Sequence, residues 1–233
     1  MLLLITGASG MGKTTVRKMV AAQFADRLES VELAEVAGPP EWNLRWRHQA
    51  VEKAVLRAVE AQRHGKHFLL CGDPVPPAEV YAAPSADQLE SIAVCLLDAA
   101  EDSQRIRLME RGDDPALIPH HIAFAAWMRE HITNPKHRLD VIRQGGWEKM
   151  QWERLLAAMN QQELWTSHRI DTTDLDPREV AKLVTIWIRQ QITEHATCSL
   201  GALRVMYCGL TMRCSEPGGG VVVASGASRA PGR

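Results

Sequence analysis

Residues 7–14 read Gly-Ala-Ser-Gly-Met-Gly-Lys-Thr and fit the spacing G-x-x-x-x-G-K-[ST]. The segment follows an apolar run, Leu2-Leu3-Leu4-Ile5. It leads directly into residues 14–26, where Val16, Met19, Val20 and Phe24 recur at helical intervals. A short apolar run ended by glycine reads as a buried parallel strand. Strand, tight turn and helix therefore follow in order. The chemistry explains the spacing: small residues let the backbone wrap an anion without Cβ clashes. Successive N–H groups then point inward, and the helix presents its positive end to a phosphate. In this frame Gly7, Ala8, Ser9, Gly10, Met11 and Gly12 form the cradle. Lys13 reaches the β and γ phosphates of a nucleoside triphosphate, Thr14 offers its hydroxyl to Mg²⁺, and Thr15 touches the α phosphate.

The rest of the chain continues the alternation. Residues 30–36 (SVELAEV) predict a second strand, broken off by Gly38-Pro39-Pro40, and residues 43–63 predict a helix free of Gly and Pro. His67–Cys71 reads as a third strand ended by Gly72-Asp73-Pro74. Residues 91–97 read as a fourth, with a helix over 100–111 after it. A fifth strand is entered through Leu164 and Trp165 and runs over His168–Ile170. Asp176 then caps a last helix with Pro177 at its first position, ending near Gln191. Strands alternating with helices imply an α/β fold with a mainly parallel sheet covered on both faces. Residues 115–163 interrupt the pattern with helical sequence and form an insertion over one edge of the site. The folded domain is expected over 1–192, with 193–233 as an atypical tail. From about Ala196 the tail carries one acidic residue, a Gly-Gly-Gly run and three of the five cysteines. It reads as a disordered extension or as a terminus translated out of the ancestral frame.

Composition narrows the function classes. Of 233 residues, 45% are apolar and 24% charged, the balance of a globular chain. Lys plus Arg number 27 against 28 Asp plus Glu, which argues against a chain built mainly to bind nucleic acid. No stretch approaches the roughly 18 apolar residues that span a membrane, and the amino terminus lacks the basic leader of a signal peptide. An odd number of cysteines without a C-x-x-C pair predicts reduced thiols and a cytoplasmic protein.

Other residues complete a candidate site. Asp73, just past the third strand, is placed to hold the metal or to activate a nucleophile. Glu35, at the expected end of the second strand, would face it across the cleft, since parallel sheets carry sites at their carboxyl ends. Either carboxylate suits the base. Arg105, Arg107 and Arg111 lie on the helix after the fourth strand, where cations can offset charge on a moving phosphoryl group; 107 and 111 share a face. Arg45 and Arg47, with Trp42 and Trp46, are candidates to line an acceptor pocket, although the tryptophans suit packing better. His120, His121, His131 and His137 lack the spacing of a zinc site. A guanine-reading N-K-x-D segment does not occur; Asn134-Pro135-Lys136-His137 lacks the Asp.

The order GASGMGKTT, HFLLCGD, IRLMERG and HRIDTTDLDPREVAKLVTIWI resembles the small P-loop kinases, which include the nucleoside monophosphate, shikimate and gluconate kinases. The likeness spans residues 1–192. It implies a P-loop NTPase fold of three layers, α/β/α, with a five-stranded sheet ordered 2-3-1-4-5. It implies Asp171 and Thr172 beside the adenine, and Arg107 or Arg111 as a lid arginine closing on ATP. The function it implies is ATP- and Mg²⁺-dependent phosphoryl transfer to a small hydroxylated or phosphorylated metabolite, with Lys13, Asp73, Glu35 and Arg111 as catalytic groups. The acceptor would enter between residues 36–64 and the insertion. A nucleotide-driven ATPase or switch, whose insertion engages a protein partner, is the alternative. A nucleotide-binding module without turnover is a third reading.

Overall fold

A computed structural model describes residues 1–41, 43–159 and 167–210. Its strands are β1 (Leu2–Thr6), β2 (Leu28–Val31), β3 (His67–Cys71), β4 (Ile92–Asp98) and β5 (Ser167–Asp171). They form one sheet in the order β2-β3-β1-β4-β5, with every neighbouring pair parallel. The expected sheet and strand order are therefore present. β1 lies in the centre, so its backbone is paired on both sides and both of its faces are covered. That is why its sequence is apolar without alternation. Side chains still alternate between faces. Leu2, Leu4, Phe68, Leu70, Val94 and Leu96 pack on one face with α3 (Leu44–Arg63). Leu3, Ile5, Leu69, Cys71, Cys95 and Leu97 pack on the other, with Val16 and Val20 of α1 (Lys13–Ala21) and Val184 and Ile188 of α9 (Pro177–Leu210).

The second strand departs from expectation. β2 ends at Val31, and Leu33–Ala37 form a short helix, α2. Two carboxylates decide this. Glu35 Oε2 accepts the Glu32 N–H at 2.8 Å, and Asp73 Oδ2 accepts the Leu33 N–H at 2.6 Å. Satisfying the first amides of a helix outweighs the weak strand preference of this segment. α4 (Pro77–Ala82), with proline at its start, is a further helix that periodicity did not signal.

The insertion consists of α6 (Ile118–Thr133), α7 (Asp140–Arg143) and α8 (Trp152–Met159), preceded by α5 (Glu101–Arg111). A buried polar joint ties it to α3. His48 Nδ1 accepts the Trp147 N–H at 3.0 Å. The imidazole proton therefore sits on Nε2, which faces Glu79 Oε1 at 3.4 Å. Glu79 is fully buried and takes a two-pronged contact from Arg47, with 2.9 Å from Nε to Oε2. Burial pushes the Glu79 carboxyl up, but Arg47 and His48 more than offset this and hold it below the usual range. Gly146 lies against the same ring; a Cβ there would stand 2.3 Å from His48 Cε1.

The chain divides into two compact units, Met1–His195 and Ala196–Arg233. The sheet and both cores belong to the first. α9 begins as expected: Asp176 Oδ1 accepts the N–H groups of Arg178 and Glu179 at 2.7 and 2.9 Å. Its assigned bounds reach Leu210, well past Gln191. Trp42, Leu164, Trp165 and residues 211–233 lie outside the described residues. Among the described residues no helix is long and apolar enough to cross a membrane.

His131, buried on α6, stacks on Trp127 with ring centroids 4.5 Å apart, and burial lowers its pKa to about 4. The unfolded chain takes up this proton near pH 6.5, while the folded chain refuses it until about pH 4. Stability should therefore fall as pH drops from 6.5 toward 4. Urea midpoints across that range should show the loss, and His131→Phe should have a shallower slope than the parent. Equal slopes would show that folding does not depress the His131 pKa.

Candidate functional site

The site lies at the carboxyl end of β1, where the chain leaves the sheet. Gly7 has φ 143°, and a Cβ there would stand 2.2 Å from the carbonyl oxygen of Leu97 on β4. Only glycine allows the loop to start this close to the neighbouring strand. Gly12, at φ 81°, is the N-cap of α1; no side chain caps this helix and its first turn holds no acid. Its amino-terminal N–H groups are therefore left to an external acceptor. Met11, 1% exposed, is driven into the core beneath the loop. That explains an apolar residue in the midst of the motif.

Lys13 is the group on which the site turns. It is buried, and its Nζ donates to the Ala8 carbonyl at 2.7 Å across the loop. Burial lowers its pKa to about 8, against the pull of Cys71, Asp73 and Glu32, while Arg111 adds to the lowering. An ammonium held in so little water is poorly solvated and gains strongly from an anion. Thr14 is half-buried on the first turn, and Thr15 is exposed toward the cleft.

A cleft of about 320 Å³ opens beside the loop. Gly10, Met11, Gly12 and Thr15 form one wall, Arg107, Glu110 and Arg111 another, and Thr172, Leu175, Pro177 and Val180 the far end. The segment after β5 thus shares the cleft with the loop. Thr172 does so through its backbone and buried hydroxyl, which donates to the Asp98 carbonyl at 2.9 Å. Asp171 does not line the cleft. Its Oδ1 accepts the N–H and hydroxyl of Thr173 at 2.9 and 2.5 Å, which holds its carboxyl below the usual range. A larger groove of about 560 Å³ between α1 and α9, lined by Met19, Arg178 and Ile186 among others, holds no residue of the loop.

The arginines separate into distinct roles. Arg107 is committed to the far wall. It donates to Thr172 Oγ1 at 2.9 Å, to the Thr173 carbonyl at 3.3 Å and to the Thr172 carbonyl. Arg111 lines the cleft and pairs with Asp113. Arg105 is half-exposed and pairs with Glu101. Arg45 makes one 3.4 Å contact with exposed Glu148 and stays open to solvent, whereas Arg47 is committed to buried Glu79. Trp46 packs against the core.

The carboxylates also differ from the sequence expectation. Asp73 is at the end of β3 as read, with Oδ2 engaged by the Leu33 N–H. Glu35 is not at a strand end. It lies on α2, its oxygens each 2.7 Å from the Arg17 guanidinium and one also capping Glu32. The residue that follows β2 is Glu32, whose carboxylate rests on Gly72, within 2.6 Å of where a Cβ would stand. Sequence reading passed over Glu32 because it misplaced the strand end. It also missed Gln104, which is buried on α5 and whose Nε2 donates to the carbonyls of Ser9 (2.9 Å) and His121 (3.2 Å), bracing the loop against α6. Asp98 was missed too; it holds Arg129 at 2.8 Å and Arg169 at 2.6 Å at the end of β4. An acid closing an apolar strand was the available signal for it.

No protein-family model matches the chain, and no curated protein matches it. Its backbone is similar to that of an unliganded sugar kinase from a Janibacter species, with TM-score 0.45, 14% identity, and 81% of this chain and 94% of that one covered. It is likewise similar to the YorR protein of Bacillus subtilis in complex with phosphorylated GDP, with TM-score 0.46 and 13% identity over 83% and 98% of the two chains. An uncharacterized protein from Eubacterium ventriosum is similar at TM-score 0.41 and 12% identity, over 82% and 98%. A likeness of this degree carries no argument about chemistry, which rests on the residues of the cleft.

The loop geometry yields a direct test. Gly7→Ala must move the β4 backbone and should destabilise the fold by several kcal/mol. Gly12→Ala, whose Cβ would meet open space, should cost about 1–2 kcal/mol for its left-handed backbone alone. Urea unfolding of both variants reads the difference; equal losses would contradict the close approach at Gly7.

Proposed function

We propose that the chain is an ATP- and Mg²⁺-dependent phosphotransferase, a small-molecule kinase. The observation that carries this reading is Lys13: a buried ammonium, braced by the loop's own carbonyl, at the mouth of an uncapped helix and beside a cleft of nucleotide size. The residues present suit the groups invoked. The loop backbone would hold the phosphates, with Thr15 at the α phosphate. The far wall of Arg107, Thr172 and Leu175 would take the base. The Thr14 hydroxyl is a hard oxygen donor of the kind Mg²⁺ prefers, and the metal would neutralise phosphate charge.

In the transfer itself, Asp73 orients the acceptor hydroxyl and takes its proton. The acceptor oxygen bonds to the γ-phosphorus as the bond to the bridging oxygen breaks. Lys13 and Arg111 offset the charge that moves toward the leaving diphosphate. Glu35 is bound to Arg17 and to the Glu32 amide, and Glu32, a helix cap 3.9 Å from Arg17, is the second carboxylate in this reading by its place at the end of β2. Arg47 is engaged by buried Glu79, so of these two arginines only the exposed Arg45 is left to meet an acceptor. The buried free thiols Cys71 and Cys95 suit the reducing cytoplasm.

ADP release measured with Mg²⁺-ATP, alone and against pools of nucleotides, sugars, sugar acids and hydroxylated antibiotics, should jump with one pool and vanish in Lys13→Ala. Slow release indifferent to every pool would favour the ATPase or switch reading, with its partner on the insertion. Turnover that survives Lys13→Ala would remove the phosphate-loop assignment. Asp73→Asn keeps an oxygen for the Leu33 amide. It should therefore fold normally, bind ATP within a few-fold of the parent and turn over about 100-fold more slowly. A near-normal rate would transfer the role to Glu32.

A further inference from the structure

Arg111 ends α5, and the chain then folds back on it. The Gly112 N–H donates to the Met109 carbonyl at 3.0 Å and the Asp113 N–H to the Leu108 carbonyl at 3.1 Å, with Gly112 in the left-handed conformation. This helix stop brings Asp113 beside the side chain two residues before it. Asp113 Oδ1 takes Arg111 Nε at 2.6 Å and Oδ2 takes Nη2 at 2.5 Å. The contact is side-on. A guanidinium has five N–H donors. This pairing uses one on Nε and one on Nη2, so the end-on fork of Nη1 and Nη2 keeps its outer donors. Among the described residues no hydrogen bond of Nη1 is present.

His121 stands next to the Arg111–Asp113 pair. His121 Nε2 lies 3.8 Å from Asp113 Oδ2, and the His121 carbonyl accepts from Gln104 at 3.2 Å. Gln104 also grips the phosphate loop at Ser9. A continuous set of contacts thus runs from the loop through Gln104 and His121 to Asp113 and Arg111. Arg111 lines the same cleft as Gly10, Gly12 and Thr15.

We propose that Asp113 is a positioning residue that holds the Arg111 guanidinium side-on, so that its free end-on fork meets the terminal phosphate of a bound nucleoside triphosphate. This rests on the nucleotide reading of the cleft. Asp113 does not touch the nucleotide. It fixes one rotamer of a long side chain, which would otherwise lose rotamer freedom on binding. An opposing effect exists, because a carboxylate near a triphosphate repels it. The side-on pairing already neutralises that carboxylate, so positioning outweighs repulsion.

The test uses the full chain and displacement of a fluorescent ADP analogue by ATP and by ADP. The parent should prefer ATP to ADP. Arg111→Ala should lose that preference while keeping its ADP affinity. Asp113→Asn should weaken ATP about five- to tenfold with ADP affinity within about twofold, as expected for a loosened charge-assisted contact to one phosphate. Asp113→Glu should recover part of the loss. In the Arg111→Ala background, Asp113→Asn should have no further effect, because its influence passes through the arginine. Unchanged ATP affinity in Asp113→Asn, a tighter one, or an additive loss in the double variant would each overturn the proposal while leaving the nucleotide reading intact. Failure of the parent to bind either nucleotide would overturn both.

Discussion

A buried ammonium organises this molecule. Lys13 sits at the first position of α1 with its charge taken out of water and supported by one loop carbonyl. Such a group costs stability unless it is compensated. The compensation arrives from several elements at once: the Ala8 carbonyl within the loop, and the charges of Asp73 after β3 and Glu32 after β2. The strands on the β2 side of the sheet are thereby tied electrostatically to the loop at its centre. The depressed pKa of Lys13 is the mark of this tension, and in the proposed function a phosphate would relieve it.

The same principle recurs away from the loop. Glu79 is fully buried and survives as a carboxylate because Arg47 and His48 converge on it. That cluster sits where α3 meets the insertion, so the insertion is held by a polar joint as well as by Trp127, Met128 and Trp152 in the core. Asp98 does similar work on the β5 side. It binds Arg129 of α6 and Arg169 of β5, while its carbonyl accepts from Thr172. Breaking one member of such a set strands a buried charge, which is why they lock geometry even when they add little net stability.

These joints define which cations remain available. Arg47, Arg107 and Arg129 are each occupied by carboxylates or carbonyls. Arg111 lines the cleft with its outer fork unpaired among the described residues, and Lys13 lies buried in the adjoining loop. Positive charge near the loop is therefore concentrated where a terminal phosphate would sit. This is the arrangement that phosphoryl transfer asks of a protein: fixed charge and fixed position.

The sequence by itself marked the central strand and the glycine-rich loop after it, while the strand order followed only from the resemblance to small P-loop kinases and is present in the sheet. An uninterrupted apolar β1 can only be a central parallel strand, and small residues at fixed intervals before Lys13 leave few backbone paths. The strands β3 and β4, the long helix α3 and the proline start of α9 were legible for the same local reasons. Glu35 shows where local reasoning stops. Its strand-like surroundings were overruled by its own capping of the Glu32 amide together with Asp73, which accepts the Leu33 N–H from forty residues away and which no periodicity encodes. Arg47 and Arg107 looked alike as free cations. Only the approach of Glu79 and of the Thr172 carbonyl, both distant in the chain, made them structural. Gln104 and His121 gained meaning only once α5 and α6 were laid beside the loop. Strand identity follows from hydrophobic pattern and backbone sterics, which are local. The partner of a charged side chain is decided by which elements pack together, and so by the tertiary structure alone.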